Sequence, residues 1–476
     1  MKSQALHFKR NAAQALDNPV LQESLRKFGS AGLALLRARA VAEFGPDHFE
    51  TLREAARAIR QRSVEQMDVL IERFEREATA RGATVLFAET TEEARALILE
   101  ICRRHEVKKA VKSKSMVSEE AGLNEALISA GIETVETDLG EYIIQLAGEP
   151  PSHIIAPAVH KSKDEVSDLF LKHHGGPRKT DIPEMTMEAR AELRRHFLTA
   201  DLGISGGNFL VAETGSGVIV TNEGNGRMVT TLPRVHVCLT GVEKVIPTLE
   251  DLSTLLRALT RSATGQHISN YVSCFTGPRR PGDLEGPEHL YFVLVDNGRS
   301  ELVGSELQDM LRCIRCGACM NHCPVYKTVG GHAYGWVYPG PMGSVLTPAF
   351  TGVANAPDLP QAATLCGACS VVCPVKIPLP ELLRKLRERQ VDQGLRPWHE
   401  RAGIRIWSWL AQRPRLYAFA ASLGVRVLGL LSNRDGMIAS FPFGSGWTQA
   451  RNGGRYMPAP TGRTFRELHA KMKARS

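Results

Sequence analysis

Seven of the ten cysteines in this 476-residue chain fall in two short motifs. The first motif, CIRCGACMNHCP, carries Cys313, Cys316, Cys319 and Cys323 and ends in a proline. The spacing C-x₂-C-x₂-C-x₃-C-P is typical of [4Fe–4S] proteins, in which the fourth cysteine ligates the other cluster of a two-cluster pair. The motif therefore predicts iron–sulfur clusters and, with them, electron transfer.

The second motif, CGACSVVCP, repeats this run with its first cysteine absent, because Ala363 occupies that position. Crosswise pairing of the two motifs assigns cluster one to Cys313, Cys316, Cys319 and Cys373, and cluster two to Cys323, Cys366 and Cys369. Cluster two then lacks one protein thiolate. Between the motifs lies GGHAYGWVYPGPMGSVLTP, whose aromatic residues we interpret as packing residues.

The missing ligand of cluster two has several candidates: His322, His332, Cys274, a water or hydroxide, or a side chain of a partner. A [3Fe–4S] cluster also fits three thiolates. An open iron would be able to bind substrate as a Lewis acid, but a purely electron-transferring cluster with an atypical ligand is favoured. A zinc ribbon would leave three cysteines unexplained. Cys102, Cys238 and Cys274 are expected to be core residues.

The composition is that of a soluble globular protein, with 43% hydrophobic and 23% charged residues. From Lys376 onward the chain carries 19 lysines and arginines against 6 acidic residues, a net charge of +13, so the preceding part sums to −5. Such a basic tail suggests an acidic protein partner, anionic lipid or charge balance for a nearby anionic cofactor, and a simply solvated surface is the default interpretation. It contains no recognisable nucleic-acid-binding module. No signal peptide and no apolar run long enough to span a membrane are found, so a cytoplasmic protein is expected.

The pattern of apolar residues predicts the elements that hold these motifs. Residues 1–80 have helical periodicity, and after Gly82 strands alternate with helices. The predicted strands include ATVLFAE, KKAVKS, IETVET and SHIIAPA, and the predicted helices include TEEARALILEICRRH and EEAGLNEALISAG. This alternation favours a mainly parallel sheet covered on both faces. Residues 200–246 are glycine-rich and β-branched and predict several strands joined by tight turns, and a helix at 249–262 and a strand at 290–296 follow.

Four regions are predicted. They are an N-terminal helical segment (1–80), an α/β domain (81–300), a small α-helical domain with two iron–sulfur clusters (301–390) and a basic C-terminal tail (391–476). Within the tail, Ile404–Ser432 is interrupted by arginines and a proline. A packed or amphipathic helical segment is therefore expected there.

In combination, several segments resemble the lactate utilisation protein B family, and the resemblance extends over essentially the whole chain. The segments are ETDLGEYIIQLAGEPPSHIIAPAVH, VAETGSGVIVTNEGNGR, CIRCGACMNHCPVY, GHAYGWVYPGP, CGACSVVCPV and RYMPAPTGRTFRELH. The resemblance implies a formyltetrahydrofolate cyclo-ligase-like α/β domain followed by an α-helical ferredoxin domain. A pattern of seven cysteines with crosswise ligation is likewise what the family implies.

The same resemblance implies an iron–sulfur component of a three-protein L-lactate oxidation system. Such a component relays electrons from lactate to an acceptor through two [4Fe–4S] clusters, and its partners are the other proteins of the system. An electron-transfer subunit is expected rather than a lone enzyme. The alternative is a catalytic subunit that binds substrate at an open iron of cluster two or in a pocket of the α/β domain.

Within the α/β domain, Lys112–Ser115 lies at a predicted strand end and would be able to bind an anionic ligand. Glu213–Gly217 and Asn222–Asn225 are candidates for the opposite wall, with Asp138 and Glu141 as acid–base groups if a pocket exists. No P-loop and no G-x-G-x-x-G motif follows a strand, so a nucleotide site is not predicted. A structural or partner-binding role of this domain is favoured over a small-molecule pocket.

Overall fold

The computed structural model describes residues 3–30, 32–152, 156–432, 436–438 and 457–474. The chain forms two compact units, Met1–Gln393 and Gly394–Ser476. The first unit is an α/β structure followed by a helical, cysteine-rich region, which is the predicted fold class.

A six-stranded, fully parallel sheet forms the centre of the first unit, with strand order β1-β10-β7-β4-β2-β3. Its strands are β1 (Thr84–Ala88), β2 (Lys109–Lys112), β3 (Glu133–Glu136), β4 (Leu202–Ser205), β7 (Val235–Gly241) and β10 (His289–Val295). The middle strands β4 and β7 are buried along their whole length, as is usual for strands of a parallel sheet covered on both faces. Because all six strands are parallel, their carboxyl ends lie along one edge of the sheet.

A smaller four-stranded sheet accounts for the glycine-rich segment and has the order β8-β5-β6-β9. Its strands are β5 (Phe209–Val211), β6 (Ser216–Thr221), β8 (Val245–Ile246) and β9 (Tyr271–Phe275). Strands β5 and β6 pair antiparallel through a tight turn at Gly215, which has φ +62. A Cβ atom on Gly215 would lie 2.3 Å from the backbone nitrogen of Ala78, in the helix Met67–Ala80. The helix and the turn therefore approach so closely that only glycine fits at position 215.

Helices cover both faces of the main sheet. The N-terminal region is helical, as predicted, and consists of α1 (Phe8–Asp17), α2 (Pro19–Ser30), α3 (Leu33–Phe44), α4 (Pro46–Glu65) and α5 (Met67–Ala80). The helices that follow are α6 (Thr91–Arg104), α7 (Met116–Ala121), α8 (Leu123–Ser129), α9 (Leu139–Ala147), α10 (Lys163–His174), α11 (Ile182–Thr199), α12 (Asn225–Thr231) and α13 (Leu249–Ala263). Side-chain caps fix several starts, such as Thr90, which accepts from the Glu93 amide at the start of α6.

One local prediction differs from the structure, and a second falls partly outside the described residues. The single helix predicted over EEAGLNEALISAG is split into α7 and α8, because Gly122 adopts a left-handed conformation between them. In the predicted strand SHIIAPA, residues 153–155 lie outside the described residues. On either side of them, Ser152 and Pro157 close a loop through hydrogen bonds from Ser152 to the Pro157 carbonyl.

The cysteine-rich region consists of short helices with 3₁₀ turns between them. The helices are α14 (Ala318–Asn321), α15 (Pro324–Val329), α16 (Gly340–Thr351), α17 (Ala368–Val372) and α18 (Leu379–Asp392). One apolar core joins α4 and α13 to this region and includes Cys316, Cys369 and Cys373. A second core joins α1 to Cys323 and Tyr334. The N-terminal helices therefore form part of the wall around the cysteines.

The second unit contains α19 (Trp398–Ala411), α20 (Pro414–Leu430), a short pair of strands, β11 (Met437–Ile438) and β12 (Met457–Pro458), and α21 (Phe465–Lys473). The predicted helical segment Ile404–Ser432 thus consists largely of α19 and α20. None of the helices in the described residues is both long and apolar enough to cross a membrane.

Candidate metal centre and adjoining cavity

The two cysteine motifs adopt the same local backbone. In the first, Arg315 and Gly317 flank Cys316 with φ values of +57 and +73. In the second, Leu365 and Gly367 flank Cys366 with φ values of +55 and +83. In both motifs the glycine precedes a short helix that carries the next cysteine. This repeated turn brings consecutive thiols to the same side of each loop.

The structure brings the seven thiols into two neighbouring groups. Burial raises the pKa of Cys316, and the adjacent Cys373 and Cys313 raise it further. Cys319 is affected in the same way by burial and then by Cys316, Cys313 and Cys373. The second group comprises Cys323, Cys366 and Cys369: burial raises the pKa of Cys369 to about 11, with Cys323 and Cys366 contributing. All ten cysteines are free thiols.

Cys369 also contributes to the raised pKa of Cys319, so the two groups lie within electrostatic range of each other. They differ in exposure, since Cys366 is exposed whereas Cys316, Cys323, Cys369 and Cys373 are buried. The second group therefore reaches the protein surface at the turn that contains Cys366.

Backbone amides point at several of these sulfur atoms. The amide of Ile377 lies 3.3 Å from Cys373 Sγ, and the amide of Arg315 lies 3.5 Å from Cys313 Sγ. Amide groups directed at thiolate sulfur stabilise the negative charge of a cluster. Pro324 is the first residue of α15, where its fixed φ suits a helix start and its missing amide hydrogen is not needed.

A buried hydroxyl beside the second group also fits an iron–sulfur cluster. The hydroxyl of Tyr334 is fully buried and has no hydrogen-bond partner among the described residues. Its nearest electrostatic neighbours are Cys323, Tyr326 and Cys319. A buried hydroxyl without a partner is costly, and a cluster sulfur at Cys323 would supply an acceptor.

Two arginines of α4 hold the cysteine region in place. The cysteine motifs by themselves do not indicate these residues. Arg53 donates to the carbonyls of Cys373 and Val371 at 2.8 Å. Arg60, which is fully buried, donates to the Leu311 carbonyl at 2.8 Å. Arg53 and Arg60 are two helical turns apart and thus share one face of α4. An arginine pair at this spacing inside an otherwise amphipathic helix is the sequence signal that could have indicated them.

The candidates for a fourth ligand of the second group have other partners. The Nδ1 atom of His322 lies 2.9 Å from the Ala318 carbonyl of its own helix. His332 contacts the Pro150 carbonyl at 2.8 Å through Nε2, and its ring packs against His160. Cys274 is exposed on β9, opposite Val218 of the small sheet. The structure therefore does not bring His332 or Cys274 together with the second group.

A cavity of about 420 Å³ lies between the sheet edge and the first motif. Its walls include the carboxyl ends of β2 and β4, followed by Ser113–Ser115 and Gly206–Asn208, and the loop Ile314–Cys316. Parallel α/β sheets commonly bind ligands beyond the carboxyl ends of their strands. The fold thus places a ligand-sized space directly beside a cysteine of the first group.

Part of the predicted pocket is present in this cavity. Ser113, Lys114, Ser115, Asp138, Asn222, Glu223 and Asn225 line it, whereas Glu213–Gly217 forms the turn packed against α5. Asp138 also caps α9 by accepting from the Glu141 amide.

Lys112 and Glu141, by contrast, lie among buried charged groups of the protein itself. The Lys112 ammonium is fully buried and contacts Glu136 at 2.7 Å and Glu119 at 3.0 Å. Burial raises the pKa of the Glu141 carboxyl, and the nearby Glu136 raises it further. Lys112, Glu119 and Glu136 thus form an ion cluster, and neither Lys112 nor Glu141 lines the cavity.

Comparisons with known proteins agree with this architecture. Residues 71–295 match the family model of the LUD domain, and residues 309–377 match that of the 4Fe-4S dicluster domain. The chain is thus an iron–sulfur protein. Among solved structures, a DUF162 family protein from Deinococcus radiodurans is matched at 13% identity with a TM-score of 0.28, over 48% of this chain and 98% of that chain.

Full-length relatives are much more similar. Lactate utilization protein B of Bacillus licheniformis is 44% identical over 98% of this chain and 97% of its own length. Lactate utilization protein B of Bacillus subtilis is 43% identical over 97% of this chain and 96% of its own. The protein YkgF of Escherichia coli, named an uncharacterized electron transport protein, is 40% identical over 100% of this chain and 98% of its own. With this similarity along the whole length, the chain belongs to the lactate utilization protein B family.

Proposed function

We propose that this protein is the iron–sulfur electron-transfer component of an L-lactate oxidation system and relays electrons through two [4Fe–4S] clusters. The observation that carries the proposal is the pair of thiol groups, which lie within electrostatic range of each other at Cys319 and Cys369. The names of the relatives supply lactate as the source of the electrons. The partners are then the other proteins of that system.

In this proposal, Cys313, Cys316, Cys319 and Cys373 hold cluster one, and Cys323, Cys366 and Cys369 hold cluster two. Each cluster, when bound, takes up and releases one electron at a time. The chain's own residues hold the clusters close together, direct backbone amides at the sulfurs and exclude water through the two apolar cores. Exposure of Cys366 favours electron exchange with a partner protein at the second group.

Anaerobically purified protein with its iron and sulfide counted provides the test. With L-lactate alone, its clusters should stay oxidised in electron paramagnetic resonance. Addition of the partner proteins of the system should produce the signals of reduced, mutually interacting clusters. Turnover of lactate by the isolated chain would overturn the proposal.

A second candidate function is catalysis at an open iron of cluster two. Two features favour it: the second group has three thiols, and one of them, Cys366, is exposed. A three-iron resonance signal that converts on addition of ferrous iron would support this candidate. Two stable four-iron clusters with no response to lactate or pyruvate would favour the simple relay.

The basic tail supports a further proposal, that this protein also contacts an anionic membrane surface. In the second unit, Trp398 and Trp407 are 75% and 62% exposed. Arg405 lies in the same helix, α19, and Arg415 lies in the next helix, α20. Tryptophan and arginine at an exposed helix surface suit the boundary between lipid head groups and acyl chains. Co-sedimentation of the full chain with anionic but not with neutral vesicles would test this contact.

A further inference from the structure

Two cations in the cavity beside the first motif have weak partners within the protein. Lys244 is buried, and its ammonium lies 3.5 Å from the Cys313 carbonyl and 3.9 Å from Glu243 Oε1. Both distances exceed the roughly 2.7–2.9 Å of a charge-assisted hydrogen bond. Arg315 Nη2 lies 3.4 Å from the same Glu243 oxygen, and its Nη1 is buried with no partner among the described residues. Both side chains line the cavity.

Basic side chains outnumber carboxylates at this end of the cavity. Arg299 donates a hydrogen bond of 2.8 Å to one oxygen of Glu243, and it donates to both oxygens of Glu120. Glu243 is thus shared among Arg299, Arg315 and Lys244, and Arg60 donates to its backbone carbonyl, so four basic side chains lie near two carboxylates and the thiol of Cys313. Buried charge without a counter-ion is unfavourable. An additional negative group at this position would compensate it.

Part of the remaining wall suits the uncharged portion of an organic molecule, whereas Lys114, Asp138 and Glu223 make another part charged. Ile219, Leu259 and Ala263 provide apolar surface, whereas Asn208 and Thr240 provide neutral hydrogen-bonding groups. An apolar lining with a few convergent polar groups is typical of small-molecule sites, and about 420 Å³ lies in their usual range of volumes.

Glycines at the end of β4 keep this space open. A Cβ atom on Gly206 would lie 3.0 Å from Ser115 Oγ, and one on Gly207 would lie 3.2 Å from Thr240 Oγ1. The ends of β2, β4 and β7 therefore approach each other closely around the cavity without side chains filling it.

We propose that this cavity binds an organic anion, with its charged group between Lys244 and Arg315 and its uncharged part against Leu259 and Ala263. The site adjoins Cys316, so the occupant lies beside the proposed cluster one. The proposal concerns ligand binding and goes beyond the relay function, since it holds whichever compound supplies the electrons. Two kinds of organic anion fit this description. One is a small 2-hydroxy or 2-oxo acid, and the other is a larger compound that stays bound to the protein.

Equilibrium dialysis of the iron-loaded full-length protein against L-lactate, pyruvate and flavin mononucleotide would test the proposal. Resonance spectra of the reduced protein, recorded with and without each compound, give a second readout. Saturable binding of lactate or pyruvate would identify the site as one for substrate-class acids. Saturable binding of flavin mononucleotide would instead identify a larger, cofactor-class anion.

Substitutions at Ala263 test whether the anion binds in the cavity. Ala263→Phe should fill the space and weaken binding at least about tenfold, with the iron content unchanged. Ser253→Phe is the matched control, because Ser253 is exposed on the same helix, α13, and it should bind as the wild type does. Ala263→Leu adds less volume and serves if the phenylalanine variant loses its iron.

Two results would overturn the proposal. Absence of saturable binding for all three probes would mean that Lys244 and Arg315 only balance the charge of the nearby cluster. Binding that persists in both Ala263 variants would place the anion elsewhere. Either result leaves the relay function untouched, because iron content and reduction in the presence of the partner proteins are measured separately.

Discussion

Arg299 and Glu120 form a two-hydrogen-bond ion pair in which neither side chain is exposed to solvent. Arg299 Nη1 lies 3.0 Å from Oε1 of Glu120, and Nη2 lies 2.8 Å from Oε2. The hydroxyl of Tyr338, from the segment between the cysteine motifs, donates to the same carboxylate. The pair thus joins α7, the segment after β10 and the cysteine-rich region.

Glu120→Gln should destabilise the protein strongly, because it leaves the buried Arg299 with Glu243 as its remaining carboxylate. Removing one member of a buried ion pair typically costs about 3–5 kcal/mol of unfolding free energy. Denaturant unfolding of the iron-loaded protein measures this loss. Glu125→Gln, at an exposed position of the neighbouring helix α8, should change the free energy by less than about 0.5 kcal/mol. Equal stability of the two variants would contradict the prediction.

Single cysteine variants should separate the two clusters into crosswise pairs. Cys313→Ser and Cys373→Ser should remove the same resonance signal, because both thiols lie in the first group. Cys323→Ser and Cys366→Ser should remove the other signal. Cys274→Ser, altered on the small sheet, should keep both clusters and the full iron content. If Cys373→Ser and Cys366→Ser removed the same signal, each motif would hold its own cluster and crosswise ligation would be wrong.

Tyr334→Phe should lower the reduction potential of the cluster held by Cys323 while the iron content stays constant. The variant removes only the buried hydroxyl, and hydrogen bonds to cluster sulfur favour the more negative, reduced state. Potentiometric titration followed by electron paramagnetic resonance measures the shift. Tyr142→Phe is the control, since its hydroxyl contacts His174 in the α/β domain at 2.8 Å. Identical potentials in Tyr334→Phe and the wild type would exclude the hydrogen bond.

His236 should make the stability depend on pH. Burial lowers the pKa of its imidazole from 6.5 to about 3. The unfolded chain therefore takes up a proton as the pH falls below 6.5, whereas the native protein does so only near pH 3. The unfolding free energy should fall across this window, by about 1 kcal/mol between about pH 7.5 and about pH 5.5.

His236→Gln should remove that part of the slope. Glutamine still offers a hydrogen-bond partner to Ser205, which lies 2.8 Å from Nε2 of His236. Unfolding midpoints at the two pH values measure the slope in each protein. An equal slope in wild type and variant would show that another group causes the pH dependence.

The pattern of apolar residues was sufficient to predict the N-terminal helices and the parallel sheet, whereas the glycine-rich, β-branched composition predicted the strands of residues 200–246 but not α12 within that range. It failed at Gly122, because a helix break there depends on one backbone conformation that the apolar pattern does not report. The domain limits and the assignment of individual cysteines to clusters remain predictions.

The sequence by itself determined the chemistry of the cysteine motifs, because thiol type and spacing are local properties of a few consecutive residues. Only the tertiary structure decided what surrounds them. Arg60 reaches Leu311 across the chain, and Lys244 approaches Cys313. The cavity likewise combines strand ends with a motif loop that lies far away in sequence. Contacts of this kind depend on how the sheet edge, α4 and the cysteine region pack together, and no local pattern of residues encodes that packing.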